Sequence, residues 1–80
     1  MTLATLLGWV GISMLLASYA LISTGRLNPR SLTYQAINIV AAIFLVINAF
    51  ANTAWPFVAL NTVWAIVGTV IIIRILLERR

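Results

Sequence analysis

The stretch Thr24-Gly25-Arg26-Leu27-Asn28-Pro29-Arg30-Ser31 interrupts an otherwise apolar chain and divides it. Gly, Asn, Pro and Ser are turn formers, and Pro29 biases Asn28 away from the helical region. On its N-terminal side, Leu3–Ser23 carries no charged side chain. On its C-terminal side, Ser31 offers an N-cap for a second apolar run that ends near Ala51. A shorter break, Asn52-Thr53-Ala54-Trp55, precedes Pro56. Proline suits the first turn of a helix, where its missing N–H costs nothing, and the third run continues to about Leu77. A helix rises about 1.5 Å per residue, so roughly 20 residues cross a 30 Å hydrocarbon core. The pattern predicts an all-α membrane protein with one transmembrane domain over 1–80 and helices at about 3–23, 32–51 and 56–77. The tight second break makes the last two an antiparallel hairpin.

Composition points the same way. The 80 residues are 64% hydrophobic and 8% charged, with a mean hydropathy of +1.14. Soluble domains carry about a quarter charged residues, and this chain has too little polar surface to wrap a water-soluble core. A cleaved signal peptide needs a positive region ahead of its apolar stretch. Here the first cations follow the stretch, so the run from Leu3 reads as a retained first helix. Cysteine and histidine are absent, which excludes disulfides, thiol nucleophiles, triads and imidazole ligation of metal or haem. The lone acid, Glu78, lies in the tail. No enzyme activity, catalytic residue, metal or other cofactor is expected.

All five basic residues are arginine: Arg26, Arg30, Arg74, Arg79 and Arg80. With Glu78 they give the chain a net charge of +4, which reads as a topology signal that also meets anionic lipid, not as a nucleic-acid surface. Cations are held on the cytoplasmic side during insertion. The N-terminus is therefore expected outside and the C-terminus inside, in a multi-pass protein of the cytoplasmic (bacterial inner) membrane. Trp9, Trp55 and Tyr34 fall near the two interfaces, as in an aromatic belt. Glu78 stands four residues after Arg74 and is expected to pair with it.

At 100° per residue, small and polar residues gather on one face of each run. These are Ala4, Gly8, Gly11, Leu15 and Ser18 on the first, and Gln35, Asn38, Ala42, Leu45, Ala49 and Asn52 on the second, with Asn48 at its edge. The third carries Asn61, Trp64, Ala65, Gly68 and Ile72. All three faces are expected to turn towards a common interior. Depth along the helices groups Ser18, Tyr19 and Asn38 into an inner polar layer, and Asn48 and Asn61 into an outer one. Amide and hydroxyl groups of this kind act as interhelical glue in lipid. They also suit a pathway for a neutral polar solute, because amides donate and accept without bringing a charge into the membrane and a tryptophan face stacks on a sugar-like ring. Candidate substrate-binding residues are Asn61, Trp64, Asn38 and Asn48. Spans without acids, Lys or His up to Arg74 argue against ion or proton coupling.

Pro56-Phe57-Val58-Ala59-Leu60-Asn61 resembles the third helix of SemiSWEET, the three-helix bacterial sugar half-transporter of the PQ-loop class. That resemblance implies a helix opened by Pro56, a substrate-facing Asn61, a third helix seated between the first two, and a parallel homodimer. The Pro-Gln pair of that class is missing, with Leu16-Ala17-Ser18-Tyr19-Ala20 standing in its region. Gly8–Gly11, Tyr19, Gly25, Tyr34, Asn38, Asn48, Trp55-Pro56, Asn61 and Trp64 also resemble an uncharacterised group of short bacterial three-helix membrane proteins with a permease-like label. That likeness implies fold, length and location. Two functions are expected to compete: a homodimeric half-transporter-like unit for a small neutral polar solute, and a non-catalytic accessory or structural subunit of a larger membrane complex.

Overall fold

A computed structural model describes residues 2–79 of the chain, so the orientation signal assigned to Arg80 lies outside them. It contains three helices, α1 (Leu3–Ser23), α2 (Leu32–Ala51) and α3 (Trp55–Glu78). Lengths of 21, 20 and 24 residues correspond to about 31, 30 and 36 Å. All three are long and apolar enough to cross a membrane. Helix α3 extends one residue beyond each expected end, with Pro56 inside its first turn.

Local chemistry sets the boundaries. Thr2 caps α1, its Oγ1 accepting from the Thr5 N–H at 3.1 Å. Ser31 caps α2 by accepting from the Tyr34 N–H at 3.1 Å, as its position in the sequence predicts. Helix α1 closes with Gly25 at φ 75°. The Arg26 N–H donates to the Leu21 carbonyl at 2.9 Å, and the Gly25 N–H to that of Ile22 at 3.0 Å. This is a Schellman closure with glycine in the left-handed position. Helix α2 closes the same way, with Ala54 N–H to Ala49 O at 2.8 Å and Thr53 N–H to Phe50 O at 3.1 Å. There the left-handed residue is Thr53, at φ 52°, where a β-branched side chain is strained. Edge-to-face packing of Phe50 on Trp55, with centroids 5.2 Å apart at 88°, spans this turn.

The helix order departs from the one that the sugar half-transporter resemblance implies. Helix α2, not α3, is central: it packs on both neighbours, while among the described residues no Cα of α1 comes within 8 Å of one of α3. The reason lies in where the small residues fall. Helix α1 meets α2 through Gly8 and Gly11, and α3 meets it through Gly68. A Cβ on Gly8 would sit 2.4 Å from Asn48 Nδ2, one on Gly11 3.1 Å from the Ala41 carbonyl, and one on Gly68 2.9 Å from Ile39 Cγ1. On α2, Ala41, Ala42 and Ala49 are buried to receive these approaches. The expected common interior is recovered only in part: the glycines form two separate seams on α2, while Ser18, Asn38, Asn61 and Trp64 of the three faces line one open space between the helices.

One polar bond ties the first seam. Asn48 Nδ2 donates to the Ala4 carbonyl at 2.9 Å, passing over the surface that Gly8 leaves bare. The second polar tie runs to the loop, where Gln35 Nε2 donates to the Pro29 carbonyl at 2.9 Å. At the same end of the bundle, Arg30 Nη2 meets Glu78 Oε2 at 2.6 Å. Glu78 thus pairs with the first loop and not with Arg74, because the end of α3 lies beside that loop. Both partners are about two-thirds exposed, at 66% and 62%, so the pair contributes at most about 1 kcal/mol. Its main information is geometric: Arg30 and the C-terminal end of α3 share one end of the molecule.

Two outcomes are expected. Thr53→Gly relieves the left-handed strain and raises thermal stability in detergent by about 1 kcal/mol; an unchanged or lowered midpoint would contradict the strain. Gly8→Ala drives a methyl into the Asn48 amide and is destabilising, and Asn48→Ala alone loses about 0.6 kcal/mol and up to about 1.7. The double variant Gly8→Ala/Asn48→Ala is expected to be more stable than the sum of the two losses, because the clash disappears with the amide. A double-mutant cycle of melting midpoints measures this, and strict additivity would show that the two residues do not meet.

Candidate functional site

Because the backbones of α1 and α3 flank α2 without approaching each other closely, an open groove of about 350 Å³ runs between them with α2 as its floor. Leu15, Leu16, Ser18 and Tyr19 of α1 form one wall, and Leu60, Asn61 and Trp64 of α3 form the other. Tyr34 and Asn38 supply the floor. The i, i+4 spacing of Tyr34 and Asn38 places both on one face of α2. Towards the α2–α3 turn, a second hollow of about 300 Å³ is lined by Leu45 and Asn48 of α2, Phe57 and Asn61 of α3, and Ile12 of α1. Asn61 borders both spaces.

The four candidate residues divide by what their amides and rings do. Asn38 is 7% exposed, and no described residue hydrogen-bonds its side-chain amide, whose atoms keep access to the groove. The residue is buried as a whole, but its amide atoms are not shut off, so they stay free to hydrogen-bond whatever occupies the groove. Asn61 donates through Nδ2 to the Phe57 carbonyl at 2.9 Å, one turn back on its own helix, which leaves Oδ1 uncommitted. Trp64 is half exposed and forms the lip of the groove. Asn48 is spent on the α1–α2 seam through its bond to Ala4, so its first role is packing.

The expected layers are partly recovered. Ser18, Tyr19 and Asn38 do come together in the groove, and Asn48 and Asn61 share the second hollow. They do not bond to one another across helices. Ser18 Oγ donates to the Leu15 carbonyl at 3.0 Å, Ser13 to Trp9 at 2.8 Å, and Thr69 to Ala65 at 2.9 Å. Back-bonding within a helix satisfies these hydroxyls more cheaply than reaching a neighbour. Tyr34 and Leu60 were not among the expected site residues. Tyr34 reads as an interface aromatic until the Asn38 floor is seen to include it, and its four-residue offset from Asn38 is the signal that finds it. No group of three or more metal-ligating acids occurs among the described residues.

The chain is all-helical, with three helices long and apolar enough to cross a membrane and a polar-floored groove between the outer two, which points to the class of small helical membrane proteins. A family model matches residues 4–80, and the chain belongs to that uncharacterised family. No curated protein and no solved structure matches it, so the sugar half-transporter resemblance gains no support from comparison.

If Asn38 serves a ligand and not the fold, Asn38→Leu leaves melting in detergent unchanged or raises it by about 1 kcal/mol, since it removes an unpaired amide of similar volume. A loss comparable to that of Asn48→Ala would make Asn38 a packing residue.

Proposed function

We propose that this chain is one half of a homodimeric, transporter-like unit that takes a small neutral polar solute across the cytoplasmic membrane. The observation that carries the reading is the Asn38 amide, which has no hydrogen-bond partner among the described residues and opens onto the floor of the groove. Asn61 Oδ1 and the Trp64 ring border the same space. Asn38 would accept and donate to the solute, Asn61 would accept from it, and Trp64 would cover an apolar face of it. No titratable side chain lines the groove apart from the two tyrosines, which fits an uncharged cargo.

A second copy is part of the proposal because α1 and α3 leave the groove open along its length. Transporters built from parallel repeats place their site at the repeat interface near the bilayer midplane. The grouping of Arg30 with the end of α3 favours a single orientation, with this end cytoplasmic and the α2–α3 turn outside. Two copies inserted alike are parallel.

Counterflow in proteoliposomes tests the reading. The expected result is saturable exchange of a neutral solute that falls at least tenfold in Asn61→Ala and in Trp64→Ala, with Asn48→Ala affected only through stability. Exchange insensitive to both substitutions would remove the assignment. Purification in a mild detergent separates the accessory-subunit alternative: a dimer of this chain alone supports the proposal, and stoichiometric recovery within a larger heteromeric complex supports the alternative.

A further inference from the structure

The polar capacity of the groove is too concentrated for a sugar, and this narrows the class of ligand. A sugar ring presents hydroxyls on nearly every carbon, and each one buried without a partner weakens binding by about tenfold or more. The groove cannot answer them all. The Ser18 hydrogen is already given to Leu15, and one amide hydrogen of Asn61 is given to Phe57. Asn38 alone offers a wholly uncommitted amide, able to donate twice and accept twice. Tyr19 is 70% exposed and lies at the rim. Tyr34 adds a single hydroxyl to the floor, and the remaining lining is hydrocarbon or aromatic face: Leu15, Leu16, Leu60 and Trp64.

We infer that the groove takes an uncharged amphiphile: a compact apolar, preferably planar body carrying one hydrogen-bonding carbonyl, hydroxyl or carboxamide-like group. The polar group meets the Asn38 amide at the floor, and the body lies between Leu15 and Leu60 with Trp64 against its face. Leucine walls reward apolar area removed from water or lipid contact, and the indole ring favours an aromatic body through offset or edge contact. A few polar groups clustered at the floor of an apolar lining are the usual make-up of a small-molecule site of this volume. The inference rests on reading the groove as the solute site, and it replaces the sugar-like cargo implied by the helix-three resemblance with a less hydroxylated one.

The test uses the full-length protein in nanodiscs, with Trp9→Phe and Trp55→Phe so that Trp64 is the sole tryptophan. The probe is dansyl amide, a neutral naphthalene sulfonamide that accepts energy from tryptophan, and empty nanodiscs correct for partitioning. Saturable energy transfer is expected, displaced by 2-naphthol and not by glucose or sorbitol at equal concentration. Asn38→Leu is expected to weaken the probe at least tenfold. Leu60→Phe, which narrows the groove, leaves every buried polar group in place and adds no second tryptophan, is expected to weaken the saturable component at least tenfold even should Asn38→Leu fail to fold. Displacement by glucose, undiminished binding to a folded Asn38→Leu protein, or undiminished binding to Leu60→Phe overturns the inference. Glucose counterflow without a saturable dansyl amide site would sink this inference and leave the transporter reading standing. Saturable binding without counterflow of any solute would do the reverse.

Discussion

The close approach of α1 to α2 through Gly8 and Gly11 is the constraint from which the rest of the architecture follows. In lipid there is no hydrophobic gain from bringing two apolar helices together, so packing contacts and hydrogen bonds must do it. Bare backbone at Gly8 lets the Asn48 amide cross to the Ala4 carbonyl, and bare backbone at Gly11 lets the Ala41 carbonyl come close. One seam thus unites shape and polarity. Helix α3 has only Gly68 to offer and docks on a different strip of α2, against Ile39 and Gln35. Two seams on one central helix leave the outer helices apart, and the groove is the space that remains.

This geometry separates two kinds of asparagine that look alike on a helical projection. Asn48 faces a glycine and finds a carbonyl within reach. Asn38 faces the gap between α1 and α3 and finds none. Asn48 is thus committed to packing within the chain, while the Asn38 amide opens onto the groove with no partner among the described residues. Asn61 stands between the two cases, half satisfied by its own helix.

The two turns show how similar backbone demands are met by different means. The first places Gly25 in the left-handed position, and the polar loop then reaches Ser31 with an Asx contact from Asn28 Oδ1 to the Arg30 N–H at 2.8 Å. The second has no room for a loop, so Thr53 adopts the left-handed conformation and Phe50 packs on Trp55 across it. The short connection holds α3 beside α2, which in turn brings Glu78 to Arg30 at the far end.

Helix number, span and caps were legible from the order of residues because they depend on local chemistry. An apolar run of sufficient length, Ser31 ahead of it, and Pro56 in the first turn of the next are nearest-neighbour facts. The buried faces at Gly8, Gly11, Ser18, Gln35, Asn38 and Gly68 were legible too, since helical periodicity exposes them. Helix order was not, nor were the partner of Glu78 and the division of labour between Asn38 and Asn48. Each depends on which of several similar small-residue faces docks on which, a choice made by a few tenths of an ångström between residues more than 25 positions apart in the chain, as the separation between Gly8 and Asn48 illustrates. A projection shows that a face is polar, and only the packed helices decide whether a carbonyl or an open groove stands opposite it.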